Sequence, residues 1–502
     1  MNLGIGSWPA RRARVRPDST AIVFEDRRFS YAEVDARVRS LANALSNAGV
    51  RRGDRVAYVG FNHPALLETF FAAGLIGAAC VLVNPRLARD EVAYILGDCT
   101  PAVVAYGAEQ AANAEDLARQ LPVGTWLSVD GGGPGSDYEQ FLAGGGTEAV
   151  EAEVHEDDLA LIMYTSGTTG RPKGAMLSHR SLFYQYMNAL IGVDLRQDEV
   201  HLAAAPLFHI AGLNMMTLPT FTLGGTIIIH RGFKAEAVLA EMAASRVTSA
   251  FLVPAMLDAL SGHPDFAGAD LSSVRGFMVG GSPLPERTIR TWQQKDVAIM
   301  QGFGMTETAP GVCMLEPRDG TVKAGSAGRP HFFTEYRLLD AGCSPVPEGT
   351  PGEVVVRGPN VMSGYWNNPE ASAAALAGGW YHSGDVAVVD EDGYIWIKDR
   401  IKDMYISGGE NVYPAEVENA LLNLPGVVEA AVVGVPDERW GESGRAYVVL
   451  ADAAEAADGA GLREQLRSRL AGYKLPREVL VVEQLPRTTT GKIQKHVLRS
   501  GS

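Results

Sequence analysis

One segment of the chain combines the residue types that are suited to holding a polyphosphate. It runs from Tyr164 to Gly174 and follows the apolar stretch 159–163, which has the composition of a buried strand. Its glycines let successive backbone N–H groups face one ligand, while hydroxyl groups and a lysine add further donors. The candidate phosphate-binding residues are Thr165, Ser166, Gly167, Thr168, Thr169, Gly170 and Lys173.

This segment differs from the Walker A loop of P-loop nucleotidases. A Walker loop requires Gly-Lys followed by Ser or Thr, whereas Lys173 is followed by Gly174 and Ala175. A flexible linker is also disfavoured, because linkers rarely follow a buried-type strand and combine so many donors with a lysine. The segment therefore predicts a phosphate site of another class.

Four later segments carry similar groups of glycine and polar residues. They are QGFGMTE at 301–307, YHSGD at 381–385, DRIKD at 399–403 and TTTGK at 488–492. In this order, after the 164–174 segment, they resemble the motifs of the adenylate-forming superfamily. That superfamily includes acyl-CoA synthetases, firefly luciferase and the adenylation domains of peptide synthetases, and the chain most resembles its fatty-acid–CoA ligases.

The resemblance implies an AMP-forming acid–thiol ligase that uses ATP, Mg²⁺ and coenzyme A. It implies that Thr306 contacts the α-phosphate and that Glu307 binds Mg²⁺, a hard cation that prefers oxygen ligands. Lys173 and Lys492 are the other catalytic candidates. A mobile ammonium group at Lys492 would lower the repulsion between the carboxylate and the triphosphate and stabilise charge in the transition state.

The resemblance also implies how the nucleotide and the thiol are held. Asp385 and Arg400 would bind the ribose hydroxyls, and a small domain would rotate about Lys402 between the two half-reactions. Other implied contacts to the nucleotide or to coenzyme A are Gly280, Gly281, Ser282, Gln301, Gly302, Phe303, Gly304, Gly408, Gly409 and Trp440.

The segment 206–213, PLFHIAGL, resembles the wall of the acid pocket in this superfamily. No lysine or arginine is placed to match a second carboxylate, and small residues such as Gly212 and Gly304 are expected to leave room for a chain or a ring. A medium- or long-chain fatty acid is predicted, with an aryl or terpenoid-derived acid as the alternative. The candidate lining residues are His209, Ala211, Gly212, Met215, Met278 and Met305.

The elements around these motifs predict an α/β fold. Ser30 and Glu33 form a capping box ahead of a helix that Gly49 ends, and the strand 55–59 follows. Such alternation continues along the chain and favours parallel sheets. The glycine-rich stretch 130–146, in contrast, is predicted to be a surface connection rather than packed structure.

The pattern of elements restarts after residues 398–403, with short strands and helices that suit a small α+β unit. We therefore expect two domains. Residues 1–401 would form a large N-terminal domain of α/β subdomains that holds the acid and ATP site. Residues 402–502 would form a small mobile α+β C-terminal domain that carries Lys492.

Composition excludes several classes of protein. With 59 acidic against 44 basic residues, the formal charge of −15 disfavours binding to nucleic acid. Scattered cysteines and the lack of a long apolar stretch predict a cytoplasmic protein without a membrane span. The sequence leaves open peripheral contact with a membrane and assembly into a homodimer.

Three alternative functions share these motifs. An acyl-AMP ligase could deliver the acyl group to a carrier protein instead of free coenzyme A. Luciferase-like oxidation would need an oxygen-handling site that the motifs do not report. A non-catalytic protein could retain the fold alone, although the joint presence of Lys173, Glu307, Asp385, Arg400 and Lys492 argues against that hypothesis.

Overall fold

The structure is a computed structural model that describes residues 2–150, 152–165, 171–193, 195–282, 284–407, 410–437, 440–451, 458–467, 469–487 and 493–500. Several sequence-predicted site residues lie outside these ranges. They are Ser166, Gly167, Thr168, Thr169, Gly170, Gly408, Gly409 and Lys492.

Helices and strands alternate through most of the chain. The α-helices are α1 Trp8–Val15, α2 Tyr31–Asn47, α3 Pro64–Leu75, α4 Arg89–Cys99, α5 Ala111–Gln120, α6 Tyr138–Ala143, α7 His179–Gly192, α8 Leu218–Leu223, α9 Ala235–Ala244, α10 Pro254–Ser261, α11 Glu286–Gln293, α12 Pro369–Ala375, α13 Pro414–Leu422, α14 Gly459–Leu466 and α15 Lys495–Ser500. The strands are β1 Thr20–Phe24, β2 Arg27–Ser30, β3 Arg55–Val59, β4 Ala79–Val83, β5 Val103–Gly107, β6 Thr125–Val129, β7 Ser136–Asp137, β8 Leu159–Thr165, β9 Lys173–Ser178, β10 Val200–Ala203, β11 Thr226–Ile229, β12 Ser249–Leu252, β13 Gly276–Val279, β14 Ala298–Gly304, β15 Gly311–Met314, β16 Arg329–Pro330, β17 Glu335–Leu339, β18 Gly352–Arg357, β19 Gly364–Tyr365, β20 Tyr381–Val389, β21 Ile395–Arg400, β22 Tyr405–Ser407, β23 Glu410–Val412, β24 Val427–Asp437, β25 Gly441–Leu450 and β26 Glu478–Val481.

Two mainly parallel sheets form the large N-terminal part. Their strand orders are β16-β15-β14-β13-β12-β10-β11-β1-β2 and β19-β9-β8-β4-β3-β5-β6-β7. The first sheet changes from parallel to antiparallel pairing at β14, and the second changes at β8. Strand β8 leads into the predicted phosphate segment, and β14 carries part of the predicted nucleotide motif at 301–307. Each motif therefore lies where the parallel part of its sheet ends.

Helix α3 shows why the two sheets pack as one body. Every residue of Pro64–Leu75 is buried, and Phe70 and Phe71 belong to the main hydrophobic core. A helix that is buried on all sides must be enclosed by other elements. The main core also contains residues of β1, β4, β8 and β15, so it joins both sheets.

The sequence-based expectations for the first elements are confirmed. Ser30 accepts a hydrogen bond from the Glu33 backbone, and Glu33 reaches back to the Ser30 backbone, which completes the capping box of α2. Gly49 follows the helix at φ +96°, a conformation that glycine adopts without steric cost. The predicted strand 55–59 coincides with β3.

A four-stranded antiparallel sheet, β17-β18-β20-β21, precedes the smaller C-terminal part. The C-terminal sheet has the order β23-β22-β25-β24, and β26 pairs in parallel with β25. Helix α13 packs on this sheet through Val417 and Leu421, which share a separate core with Tyr405 and Val432. A large α/β part and a small α+β part are therefore present, as the sequence predicted.

The expectation for the glycine-rich stretch 130–146 is wrong for its second part, whereas residues 131–135 form a mostly exposed bend between β6 and β7. Residues within it form β7 and α6, and Tyr138 is buried with its hydroxyl donating to Glu68 Oε2 at 2.9 Å. A side chain at Gly145 would lie 1.9 Å from the Ser40 carbonyl oxygen, so this glycine permits close helix contact. Glycines that serve packing were misread as glycines of a connection.

Among the residues that the structure describes, no helix has the length and apolar character that crossing a bilayer requires.

Candidate active site

The start and end of the predicted phosphate segment lie side by side. Strands β8 and β9 form an antiparallel hairpin in which Thr165 pairs with Lys173 and Tyr164 pairs with Gly174. The Thr165 hydroxyl lies 3.5 Å from the Lys173 carbonyl oxygen. Two of the predicted donors are thus held at the tip of a hairpin on the main core.

Glu307 lies close to this hairpin, although 134 positions separate it from Lys173 in the numbering. Its side chain is buried, and its Oε1 atom accepts a hydrogen bond of 2.8 Å from the Tyr365 hydroxyl. The Lys173 ammonium lies 5.4 Å from the centroid of the Tyr365 ring, within cation–π range. Tyr365 therefore connects the carboxylate with the lysine.

Asp385 and Arg400 face each other across two strands. They are paired residues of β20 and β21, and Arg400 Nε donates to Asp385 Oδ1 at 3.1 Å. Asp385 is buried, and its backbone N–H donates to Ser383 Oγ at 3.0 Å. Gly384 adopts φ +69°, which turns the chain so that the Asp385 carboxylate and the guanidinium are held together.

Tyr381 links the two halves of this arrangement. Burial raises the pKa of its hydroxyl, and the nearby Glu307 charge, Tyr365 and the Asp385 charge raise it further. Burial opposes a raised pKa of Arg400, yet the pKa is raised, mainly by the Asp385 charge and to a smaller extent by the Glu307 charge. Lys173, Glu307, Asp385 and Arg400 therefore belong to one cluster that is rich in charge.

The nucleotide motifs on β13 and β14 lie next to each other. Val279 pairs with Gln301, and Gly280 and Gly281 continue from the end of β13, with Gly281 at φ +88°. Gly280 is also close to β14, because a Cβ atom there would lie 3.3 Å from the Gly302 carbonyl oxygen. The Oε1 atom of the buried Gln301 side chain has no hydrogen-bond partner among the described residues.

Phe303 and Ser282 differ in their surroundings. Phe303 is half-buried and packs against the main core, whereas Ser282 is exposed. Thr306 is half-buried and opens the short helical turn that contains Glu307. These positions agree with the predicted nucleotide contacts but do not test them.

A methionine-rich cluster, separate from the main core, contains three of the predicted acid-lining residues. Met215 and Met278 are buried in it, and Ala211 packs against it. Met215 belongs to a π-helical turn, Gly212–Thr217, and such turns are frequent at functional sites. The buried members of the methionine cluster are Val193, Ala205, Met215, Met216, Phe251, Met278, Met300 and Met314.

The expectation that the missing side chains of Gly212 and Gly304 leave room for the acid needs correction. A Cβ atom on Gly212 would lie 2.3 Å from the Pro206 carbonyl oxygen, and one on Gly304 would lie 1.7 Å from the Pro310 carbonyl oxygen. The space on the Cβ side of each glycine is therefore filled by backbone and is not left open by the missing side chain. Met305 packs against the main core and is not in the methionine cluster.

His209 occupies the position that the sequence predicted for a pocket wall. It is half-buried, its ring lies 4.7 Å from the Phe208 ring, and its carbonyl oxygen accepts from Leu213 N at 3.1 Å. The residue thus stands at the start of the turn that carries Met215. This placement is compatible with a wall of the acid site.

Two of the C-terminal candidates, Lys402 and Trp440, lie within the described residues. Lys402 is exposed in the turn between β21 and β22, and Trp440 is 42% exposed with its backbone N–H donating to Asp437 at 3.0 Å. Asp399, just before the predicted hinge, accepts from Ala415 N at 2.7 Å. That hydrogen bond joins residues on either side of Lys402.

Sequence reasoning missed Tyr365 and gave no role to Tyr381, although Tyr381 opens the recognised motif at 381–385. Tyr365 lies in the short strand β19, which pairs with β9 and so comes beside Lys173. In the sequence, Tyr365 is marked only as an aromatic residue after Gly364, between the motifs at 301–307 and 381–385. Such a signal becomes specific only when the sheet order is known.

Comparisons with known proteins agree with this arrangement. A family model described as AMP-binding enzyme matches residues 9–366, and one described as AMP-binding enzyme C-terminal domain matches residues 416–492. A feruloyl-CoA synthase of an Amycolatopsis species is 50% identical over 498 residues, which cover 99% of each chain.

Two further relatives differ in their named acids. The long-chain-fatty-acid–CoA ligase FadD13 of Mycobacterium tuberculosis is 39% identical over 502 residues, covering 99% of this chain and 98% of its own. The crystal structure of the anthranilate CoA ligase AuaEII in complex with anthranoyl-AMP has a TM-score of 0.94 and 29% identity, covering 100% of this chain and 97% of its own.

Proposed function

The chain belongs to the AMP-binding enzyme family of adenylate-forming proteins and is an AMP-forming acid–CoA ligase, and from this premise we propose that the acid it activates is aromatic, with a short acyl side chain. ATP and coenzyme A fit as its co-substrates. The observation that carries the proposal is the methionine cluster. One of its members, Met300, lies on β14 directly before the predicted nucleotide motif at 301–307.

The chemistry of the methionine cluster favours a ring over a plain chain. Thioether sulfur makes favourable contacts with the edges of aromatic rings, worth about 0.3–1.5 kcal/mol each. Methionine side chains are also flexible, so they can move to admit a flat group. Met215, Met278, Met300 and Met314 come from four different elements, so they could surround a ring from several sides.

The relatives support an aromatic acid more than an aliphatic one. The feruloyl-CoA synthase has the higher identity, and the AuaEII structure is named for another aromatic acid. FadD13 is named for fatty acids and is less similar in sequence. The fatty-acid substrate predicted from the sequence is therefore not confirmed, and the aryl alternative replaces it as the proposal.

A panel of acids tests the proposal. Purified protein is given ATP, Mg²⁺ and coenzyme A with ferulate, cinnamate, octanoate or palmitate, and pyrophosphate release and acyl-CoA are measured. We expect kcat/KM for the aromatic acids to exceed that for the fatty acids by roughly 10-fold or more, the scale of discrimination that one apolar pocket achieves. Activity confined to the fatty acids would refute the aromatic assignment.

The proposed reaction has two displacements. A carboxylate oxygen attacks the α-phosphorus of ATP, the bond to the β-phosphate oxygen breaks, and pyrophosphate leaves. The coenzyme A sulfur then attacks the acyl carbon, the bond to the AMP oxygen breaks, and AMP leaves. The first step needs no general base, because a carboxylic acid is already ionised near neutral pH.

We propose that the nucleotide is held by the cluster around Tyr365. Asp385 would accept from the ribose hydroxyls while Arg400 donates to them, and Lys173 would neutralise phosphate charge. Gln301 Oε1, which is buried without a partner among the described residues, would accept from the adenine amino group. Asp385, Arg400 and Lys173 belong to the cluster around Tyr365, and Gln301 lies on β14.

The residues present fit Mg²⁺. No three His, Cys, Asp or Glu side chains within the described ranges form a metal cage, and Mg²⁺ is usually bound by one or two carboxylates together with substrate phosphates. Glu307 would supply that carboxylate, with Thr306 beside it. When bound, the ion neutralises charge on the phosphates and the departing pyrophosphate.

Tyr365 is proposed as a positioning residue for Glu307. Tyr365→Phe removes the hydroxyl that donates to Glu307 Oε1, so the carboxylate loses its orientation. We expect the Mg²⁺ concentration for half-maximal pyrophosphate release to rise roughly 10-fold, the lower end for loss of a group that orients a metal ligand. Excess Mg²⁺ should restore most of kcat.

Tyr138→Phe is the matched control, because the buried Tyr138 hydroxyl also donates to a glutamate, Glu68 Oε2, at 2.9 Å. It should lower the melting temperature without changing the Mg²⁺ requirement. An unchanged Mg²⁺ requirement in Tyr365→Phe would show that Tyr365 only supports packing.

The two half-reactions would use different surfaces of the C-terminal part. We propose a boundary at 401/402, with Lys402 as the hinge, Lys492 presented for adenylation, and Gly408 and Gly409 presented for thioester formation. The exposure of Lys402 in a turn supports this role, because hinges are commonly a few loop residues that absorb backbone rotation.

A further inference from the structure

One face of helix α7 carries polar side chains into the protein interior beside the methionine cluster. Gln185 and Asn188 on this face have no exposed surface. Gln185 Nε2 donates to Met215 Sδ at 3.4 Å, so the polar face meets the methionine cluster at that residue. A thioether sulfur is a weak acceptor, and a buried amide N–H is poorly satisfied by it.

The orientation of the Gln185 amide is fixed by its neighbours. The Phe333 backbone N–H donates to Asn188 Oδ1 at 2.9 Å, so Asn188 Nδ2 must be the donor to Thr334 Oγ1 at 3.2 Å and to Gln185 Oε1 at 3.5 Å. The opposite end of the Gln185 amide, Nε2, is therefore the group that faces Met215. The nitrogen and oxygen of the Gln185 amide are therefore distinguished by their hydrogen-bond partners.

His331 brings a second polar nitrogen to the same place. Its side chain is buried, and Nε2 has no hydrogen-bond partner among the described residues. Burial lowers the pKa of His331 to about 4, so the imidazole is neutral near pH 7. A neutral imidazole offers one donor and one acceptor but no charge to pair with a carboxylate.

Gly311 shows that the two nitrogens converge. A Cβ atom on Gly311 would lie 2.4 Å from Gln185 Nε2 and 2.5 Å from His331 Nε2. Both nitrogens therefore lie against Gly311 of β15, as does Gln185 Oε1, which would lie 2.8 Å from the same Cβ atom. Gly311 pairs with Gly304 of the predicted nucleotide motif, so the two nitrogens lie beside that strand.

We propose that Gln185 and His331 form a polar subsite that binds a hydroxyl group on the ring of the aromatic acid; this inference rests on the proposed function. A hydroxyl can accept from the Gln185 N–H and at the same time donate to, or accept from, His331 Nε2. It would replace the weak sulfur acceptor and supply the missing imidazole partner. The methionines would contact the ring itself.

Substitutions that keep volume but remove hydrogen bonding test the subsite. His331→Leu and Gln185→Met are compared with the unsubstituted protein on 4-hydroxycinnamate and cinnamate, which differ by one hydroxyl. We expect 4-hydroxycinnamate to be preferred, and each substitution to reduce the ratio of kcat/KM values by roughly 10- to 100-fold, as for loss of a buried polar partner. The readout is the ratio of the two kcat/KM values, so a general loss of activity that is equal for both acids does not count as loss of the subsite.

His179→Leu is the matched control. His179 lies on the same helix, is buried with its pKa lowered to about 4, and also has an Nε2 atom without a partner among the described residues. Its Nδ1 accepts from Ile5 N, away from Met215. Its loss should affect the two acids equally, whatever it does to stability.

The outcomes separate this inference from the proposed function. If the unsubstituted protein activates fatty acids but not cinnamate, both the aromatic assignment and the subsite are overturned. If it activates cinnamate but gains nothing from the hydroxyl, the proposed function stands and the subsite is overturned. The subsite is also overturned if the preference survives both substitutions with the proteins folded.

Discussion

Lys492→Ala is expected to lower acid-dependent pyrophosphate release by roughly 100- to 1,000-fold, the effect of removing a group that stabilises transition-state charge. Thioester formation from supplied acyl-AMP and coenzyme A should remain within a few-fold of the unsubstituted protein. The two reactions separate because only adenylation brings a carboxylate against a triphosphate. The measurements are pyrophosphate release and acyl-CoA formation, made on the same preparation.

Lys474→Ala provides the control for the Lys492 experiment. Lys474 lies in the same C-terminal part and pairs with Glu416 at 2.7 Å, so its loss removes a positive charge without touching the proposed chemistry. Both half-reactions should be preserved in it. Equal loss of the two half-reactions in Lys492→Ala would contradict a role confined to adenylation.

Glu307→Gln is expected to lower pyrophosphate release by a similar factor, roughly 100- to 1,000-fold, because an amide is a poor ligand for Mg²⁺ beside the α-phosphate. Glutamine keeps the volume and can still accept from the Tyr365 hydroxyl, so folding should be preserved. The response to added Mg²⁺ should weaken together with kcat. These effects are measured by Mg²⁺ titration of the reaction with a saturating acid.

A surface carboxylate serves as the comparison for Glu307. Glu335 is exposed and pairs with Arg357 on the neighbouring strand, so Glu335→Gln changes charge alone. Its Mg²⁺ titration should match that of the unsubstituted protein. Normal pyrophosphate release by a folded Glu307→Gln protein would remove Glu307 from the metal site.

Local signals predicted much of the architecture. The capping box at Ser30 and Glu33 and the glycine that ends α2 were readable because they depend on residues only a few positions apart. The motifs predicted Lys173, Glu307 and Asp385 as one site because their spacing resembles that of a family. In the structure they are linked through Tyr365 and Tyr381.

Other features depend on which strands are adjacent, which the sequence does not state. Met215 and Met278 were predicted from the sequence to line the acid site. Met300 and Met314 lie beside them because β13, β14 and β15 are neighbours in the sheet. Tyr365 was missed for the same reason. The glycines at 212 and 304 were misread, because a missing side chain can serve backbone packing as well as ligand space.

The cluster around Tyr365, together with the methionine cluster, is proposed to join an aromatic acid to AMP. Exchange of labelled pyrophosphate into ATP, measured without coenzyme A, tests that step alone. We expect exchange that is absent without acid and appears when ferulate or 4-hydroxycinnamate is added. Binding of ATP without acid-dependent exchange for either acid would contradict it.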